Sequence, residues 1–383
     1  MLSAVSLCTD MASEMLYPVM PLYLKYAGYS MIFIGVLEGF AEALAGLSKG
    51  YFGRRSDVAG RRLPFVQLGY TLSAISKPML AFFINPVWIF LCRSTDRLGK
   101  GIRTGARDAM LSDNCTPETK GRVFGFHRSL DTFGAVLGPL TALIFLHYYP
   151  GYFKALFLIA FVPGIAAILL TRLIKEKPMN GLTANTERPA INFFAFAHYW
   201  KGSTPLYKKI TAGLLFFTLF NSSDVFLLLK MKETGLTDTA VIGIYIFYNL
   251  VYALVAYPAG KLADKLGLKL VLSVGMLLFT AVYGGFALNE NRNIFLLLFA
   301  LYGLYAAATE SMAKAWISNV ANRDEVATAI GTFTGFQSIC SLLASSICGI
   351  MWIYFGAKAT FMLTASAGIF TMLYFALFVK EEK

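Results

Sequence analysis

The chain has 383 residues, 57% hydrophobic and 15% charged, with a formal net charge of +12. A soluble domain carries about 25% charged residues, and here apolar runs of about 20 residues, enough to cross a bilayer as helix, recur throughout. These figures exclude a soluble globular protein, and also an outer-membrane barrel, whose segments would be about ten residues long and alternating.

Twelve helical spans are predicted near 2–25, 31–52, 63–84, 86–108, 121–147, 152–173, 209–229, 239–262, 269–288, 293–316, 327–353 and 358–379. The first apolar stretch begins at once and holds Asp10 and Glu14 on one helical face, which the apolar core of a cleavable signal peptide would not. Span two carries Glu38 and Glu42 on one face. Span four carries Arg93, Asp96, Arg97, Lys100, Arg103 and Arg107, a three-four spacing that forms one stripe on a helix. Span five carries His127, Arg128 and Asp131. Each buried charge costs about 2.5–3.5 kcal/mol near the bilayer centre, so the stripe predicts a polar cavity in the N-terminal half, with charges nearly balanced. Arg103 and Arg107 are expected near the cytoplasmic surface as anchors.

The break after span six is of another kind. Residues 174–208 form a polar linker between two six-helix halves, 1–173 and 209–383. An aromatic piece from Phe193 to Trp200 is expected to lie on the membrane surface. The second half is less charged. Asn221, Ser222, Ser223 and Asp224 sit in span seven, Asn249 with Tyr245, Tyr248 and Tyr252 in span eight, and Phe333, Phe336 and Gln337 in span eleven. Of these, Asn221, Asp224, Asn249, Phe336 and Gln337 are the candidates to line a substrate path. Glu310 and Lys314, four residues apart on span ten, read as a structural ion pair.

One short segment occurs twice. Residues 53–62, from Gly53 through Asp57 and Gly60 to Arg61 and Arg62, read G-x-x-x-D-x-x-G-x-R. Residues 260–269, from Gly260 through Asp264 and Gly267 to Lys269, read G-x-x-x-D-x-x-G-x-K. Each joins two apolar spans. Glycine permits a tight turn and close helix approach, and each carboxylate sits where it can meet a helix N-terminus or an arginine. Lys and Arg concentrate on this side and in the linker, so both termini are placed in the cytoplasm. The duplication points to two equivalent halves moving about a central site.

At these residues the chain resembles the major facilitator superfamily, whose motif A falls after helices two and eight. Gly125, Gly134, Gly138, Pro139 and Ala142 resemble its motif C, the antiporter motif of the drug:proton exporters, with Ala142 where glycine is usual. Arg97-Leu98-Gly99-Lys100-Gly101 resembles motif B, with Lys100 replacing glutamine. The resemblance implies an all-α membrane fold of twelve helices in two pseudo-symmetric six-helix bundles. It implies that Asp57 forms a charge cluster with Asp108 and Arg107, latching the outward-open state, and that small residues on span five seal the cavity against proton leak.

The expected function is therefore secondary active transport, with export of a small molecule by proton antiport ahead of proton-coupled import of a nutrient or small anion. Asp10, Glu14, Glu38 and Asp131 are the candidates to carry the proton, since a carboxylate in a dry cleft exchanges protons near neutrality. No nucleotide-binding loop, HExxH, GxSxG or zinc cluster is present, so no enzyme, cofactor or metal is expected. Cys8, Cys92, Cys115, Cys340 and Cys348 form no CxxC pair and predict neither a metal site nor a disulfide framework. The expected partners are the substrate, protons and the bilayer, without nucleic acid. The expected setting is the cell's cytoplasmic (inner) membrane, as a monomer.

Overall fold

A computed structural model describes residues 1–176, 195–222 and 224–379. It is helical throughout these residues, without strands. Span one is two helices, α1 (Leu2–Leu16) and α2 (Met20–Tyr26), parted at Pro18, which lacks the N–H a continuous helix would use. Spans two to six are α3 (Met31–Ala59), α4 (Leu63–Met79), α5 (Pro86–Asp113), α6 (Lys120–Tyr148) and α7 (Phe153–Arg172). Within the linker, α8 (Ala195–Gly202) contains the described part of the expected aromatic piece; Phe193 and most of the linker lie outside the described residues. Span seven is again two helices, α9 (Pro205–Phe220) and α10 (Val225–Glu233). Spans eight to ten are α11 (Asp238–Leu266), α12 (Leu268–Leu288) and α13 (Arg292–Val320). Spans eleven and twelve share α14 (Val326–Phe378), which breaks at Gly356, where φ is 77°.

Two expected boundaries change. The repeated segments are not loops for most of their length: α3 runs to Ala59 and α11 to Leu266, each stopping at a glycine of positive φ, Gly60 at 63° and Gly267 at 95°. Hydropathy ends a span where charges begin, whereas the helix continues through those charges to its glycine stop. Span seven, expected to be continuous, is interrupted between Asn221 and Asp224, and Ser223 lies outside the described residues. Side chains of this kind compete with the helix for backbone hydrogen bonds.

The chain packs into two compact units. The first comprises residues 1–114, 130–202 and 322–335, and the second 115–129, 203–321 and 336–383. Each therefore takes a short segment from the opposite half of the sequence. In the first unit an apolar core forms around Tyr23, Leu24, Ile89, Leu156 and Phe157. On α6, Gly134 and Gly138 press against the backbone of α1. A Cβ on Gly138 would lie 2.5 Å from the Met11 carbonyl and 2.6 Å from the Met15 nitrogen. Gly39 on α3 has nothing within 4 Å of the same position.

Gly138→Ala is expected to lower the thermal unfolding temperature of the detergent-solubilised protein, since overpacking costs about 1–3 kcal/mol. Gly39→Ala should raise it slightly, because alanine favours helix by up to about 1 kcal/mol. Equal shifts in the two variants would contradict the close α1–α6 contact.

Candidate coupling and substrate site

The stripe on α5 is paired residue by residue. Arg93 grips Glu38 of α3 with two nitrogens, Nη2 at 2.6 Å from both carboxylate oxygens and Nε at 3.0 Å from Oε1. One turn on, Arg97 Nη1 lies 2.8 Å from Glu42 Oε1. The two acids of span two thus answer the two arginines, as their shared spacing allows. Between the arginines, Asp96 turns toward α4, where Lys77 Nζ donates to its Oδ1 at 2.6 Å. Ser73 Oγ donates to the same oxygen at 2.5 Å, and Lys77 also donates to Ser73 Oγ at 3.0 Å and to Ser13 Oγ of α1 at 3.1 Å.

Lys77 is 2% exposed and is absent from the sequence-based candidates. Its signal was available: it is the only charged residue between positions 63 and 84. A lone lysine in an apolar span needs a buried acid opposite it, and Asp96 supplies one.

Above these pairs, Asp10 and Glu14 of α1 line a polar crevice with Arg93, Asp96, Arg97, Lys100 and Arg103 of α5. Its enclosed free space is small, about 10 Å³, and the rest of it is open mouth. Arg103 and Arg107 are not the surface anchors expected from sequence; both are buried. Arg103 faces the crevice, its guanidinium 4.6 Å from the centre of the Tyr70 ring. Arg107 holds Asp108 at 2.8 Å and donates to Ser6 Oγ at 3.2 Å. Ser6 in turn donates to Asp131, whose Oδ1 lies 3.9 Å from Arg107. Asp131 is thus tied to the buried Arg107 group.

His127 and Arg128 belong to the second unit. His127 is buried. Arg128 donates to Tyr252 Oη at 2.5 Å and forms an ion pair with Glu310, to which Tyr252 also donates at 2.9 Å. The break in span seven is held by tyrosines: Asn221 Nδ2 donates to Tyr305 Oη at 2.7 Å, and Tyr248 Oη donates to Asp224. Asn249 is buried and donates to the carbonyl of Tyr245 on its own helix at 2.9 Å. Phe336 and Gln337 are half-buried.

The repeated segments behave as a matched pair. Asp57 Oδ2 accepts from Thr328 N at 2.6 Å and Thr328 Oγ1 at 2.8 Å, in the first turn of α14. Asp264 accepts from the backbone N–H groups of Gly121 at 2.7 Å and Arg122 at 2.9 Å, in the first turn of α6. Asp264 follows Asp57 by 207 residues, and Thr328 follows Gly121 by the same 207. Both carboxylates therefore satisfy N–H groups that a helix start leaves unpaired, at the positive end of its dipole. The glycines one turn before them make room. A Cβ on Gly53 would strike the Ala327 carbonyl, one on Gly260 the Gly121 carbonyl, and one on Gly125 the Ala256 carbonyl.

Arg62, 1% exposed, adds to the first copy with Nη2 at 3.0 Å from Asp57 Oδ1, and it also pairs with Asp113. Glu176 accepts from the backbone N–H groups of Arg62 at 2.5 Å and Leu63 at 3.1 Å, capping α4. The acid of span four that joins the Arg62 cluster is thus Asp113, and Asp108 is held by Arg107. Arg61 is exposed, and Lys269 donates to the Val379 carbonyl at 2.6 Å.

The major facilitator superfamily profile matches residues 2–248 and 211–383. The chain belongs to the major facilitator superfamily. It is 34% identical over 358 residues to an uncharacterised MFS-type transporter of Methanocaldococcus jannaschii, covering 92% of this chain and 87% of that one. An uncharacterised protein of Mycobacterium tuberculosis is 24% identical over 363 residues, covering 91% and 85%. Among solved structures, the human organic anion transporter MFSD10 superposes with a TM-score of 0.76 at 14% identity, covering 97% of each chain. The Escherichia coli fucose:proton symporter superposes with a TM-score of 0.77 at 12% identity, covering 100% and 98%. These two likenesses establish the fold. The protein is thus a multi-pass membrane transporter with the twelve-helix superfamily fold, and not an enzyme.

Breaking one side of the buried Lys77–Asp96 pair strands the other charge. Lys77→Met is expected to destabilise the protein by about 3–5 kcal/mol, and Lys77→Met with Asp96→Leu to recover most of that loss. Thermal unfolding of the three proteins checks this; a double variant no more stable than the single would refute the pairing. In a double-mutant cycle, Asp57→Ala and Thr328→Val should couple by about 1–2 kcal/mol. Additive losses would mean that the Thr328 hydroxyl contributes nothing to the cap.

Proposed function

We propose that the protein exports a small molecule by proton antiport, alternating between two conformations about the crevice beside α1 and α5. The observation that carries this reading is the matched pair of carboxylate caps. Each is a charge-to-helix-end contact between segments distant in sequence, and each is worth about 0.3–2 kcal/mol. Contacts of that size are strong enough to favour one conformation and weak enough to be released in a working cycle. On this reading Asp57 and Asp264 latch the cytoplasmic side, and their release admits solute from that side. Both termini lie in the cytoplasm, the setting is the inner membrane, and a single chain is the working unit.

Asp10, Glu14, Glu38 and Asp131 are the proposed exchangeable acids, Asp10 and Asp131 foremost. Asp10 lines the crevice. Asp131 sits one turn before Gly134, on the helix face against α1. Protonation there neutralises a charge opposed to Arg107 and alters the balance that holds α1, α5 and α6 together. The close approach of Gly134 and Gly138 to α1 supports a tight seam on that side of the crevice, as an antiporter needs to prevent proton leak. On the second unit, Asn221, Asp224, Asn249, Phe336 and Gln337 are proposed to face the solute path.

A second reading, proton-coupled import of a nutrient or small anion, is favoured by Lys100 and Arg103 in the crevice. The solved structures of like fold include an organic anion transporter and a fucose:proton symporter.

In everted membrane vesicles acidified by respiration, a transported compound added outside should collapse the pH gradient reported by a dye. Asp10→Asn and Asp131→Asn should reduce that response to background while the protein still folds. Full gradient-driven transport in both variants removes these acids from the mechanism. Movement of protons in the same direction as solute replaces antiport by symport.

A further inference from the structure

We infer that the crevice of the first unit holds one anionic group of the transported molecule on Arg103 and Lys100, so that the substrate is a small monoanion such as an organic carboxylate. This deepens the transport reading above and rests on it. The pairing along α5 carries the argument. Arg93, Asp96 and Arg97 are each matched by a side chain of a neighbouring helix, Glu38, Lys77 and Glu42. One turn further the matching stops. Lys100 and Arg103 line the crevice, and neither has a carboxylate within ion-pair distance among the described residues.

Arg103 is the decisive side chain. It is 3% exposed, yet its Nε and Nη1 have no hydrogen-bond partner. Arg62 and Arg97 also leave Nε unbonded, but each has a carboxylate on its other nitrogens. The Tyr70 ring makes a cation–π contact with the Arg103 guanidinium, which leaves Nε and Nη1 without a hydrogen-bond acceptor. A buried guanidinium with free donors is costly. Its planar fork suits a carboxylate, phosphate or sulfonate oxygen pair. Lys100, one helical turn away and half-buried, adds a second cation.

The rest of the crevice limits the charge that fits. Asp10 and Glu14 line it from α1, and Asp96 from α5. These carboxylates repel a second anionic group, so a monoanion is favoured over a polyanion. The same ligand chemistry is offered by the phosphate of an anionic lipid, which the test must separate from a soluble solute.

The test uses the purified full chain in lipid-free detergent at constant ionic strength, with binding read from the thermal unfolding temperature. The probes are acetate, lactate and benzoate, their neutral amides, citrate, and phosphatidylglycerol in mixed micelles. At least one monocarboxylate should stabilise the protein, its amide should not, and citrate should do less. Arg103→Gln should raise the apparent Kd of that carboxylate on the order of tenfold to a hundredfold, and Arg103→Lys should restore part of the affinity. If Arg103→Gln fails to fold, Lys100→Gln, on the open wall, should weaken binding in the same sense, and Arg172→Gln on the exposed end of α7 should not.

Equal stabilisation by a carboxylate and its amide overturns the inference. So does unchanged binding in both Arg103→Gln and Lys100→Gln, a response to phosphatidylglycerol alone, or no response to any anion. Proteoliposome transport separates this from the broader reading. Arg103-dependent binding with no solute carried would leave the site standing and sink the transport cycle. Intact proton-linked transport by Arg103→Gln would do the reverse.

Discussion

A charge on a largely buried helix face is costly unless a neighbour neutralises it, and that constraint organises the first unit. Three neighbouring residues of α5 carry full charges, and each determines what the adjacent helix must present. Glu38 and Glu42 make α3 the partner for the arginines, while Lys77 makes α4 the partner for Asp96. These pairs specify rotation and depth as well as proximity. A helix slipped by one residue along its axis would separate every pair by about 1.5 Å and turn it by about 100°. The cost of an unmatched buried charge thus acts as a register for helices whose apolar faces, surrounded by lipid, would tolerate many packings.

The same attraction works at helix ends. Asp57 and Asp264 both meet backbone N–H groups, and the first copy adds the Arg62 guanidinium. Such contacts are individually modest, and the glycines around them remove the bulk that would keep the backbones apart. Close approach and a weak cap together give an interface that is well defined when formed and inexpensive to part. That combination suits the alternation proposed for this transporter better than a large apolar interface would.

The second unit solves its packing differently. Its interior is rich in aromatic rings, with Phe279, Tyr283, Phe299, Tyr302 and Tyr305 in mutual contact. Tyrosine supplies apolar surface and one polar tip, so Asn221 and Asp224 at the break in span seven find partners without further buried charges. Both broken spans, one and seven, open their respective halves of the sequence. Interrupted helices next to polar groups are common surroundings for solute in membrane transporters.

The sequence by itself determined the class, the number and rough placement of the spans, and the repeat. These follow from local quantities: hydropathy over about 20 residues, helical spacing, and a segment copied at a constant offset. It also singled out Glu38, Glu42, Arg93 and Arg97 as charges within apolar spans, because helical spacing places each set on one face without knowledge of the fold. Only the tertiary structure decided which charges meet. Asp113 rather than Asp108 joins Arg62, Arg128 turns to Glu310 and Tyr252, and Arg103 is buried rather than anchored at a surface. Lys77 carried a readable signal, a lone charge in an apolar span, but its partner could not be named from spacing. Thr328 and Gly121 carried none, since a backbone N–H becomes a binding partner only when folding brings a carboxylate to its helix end.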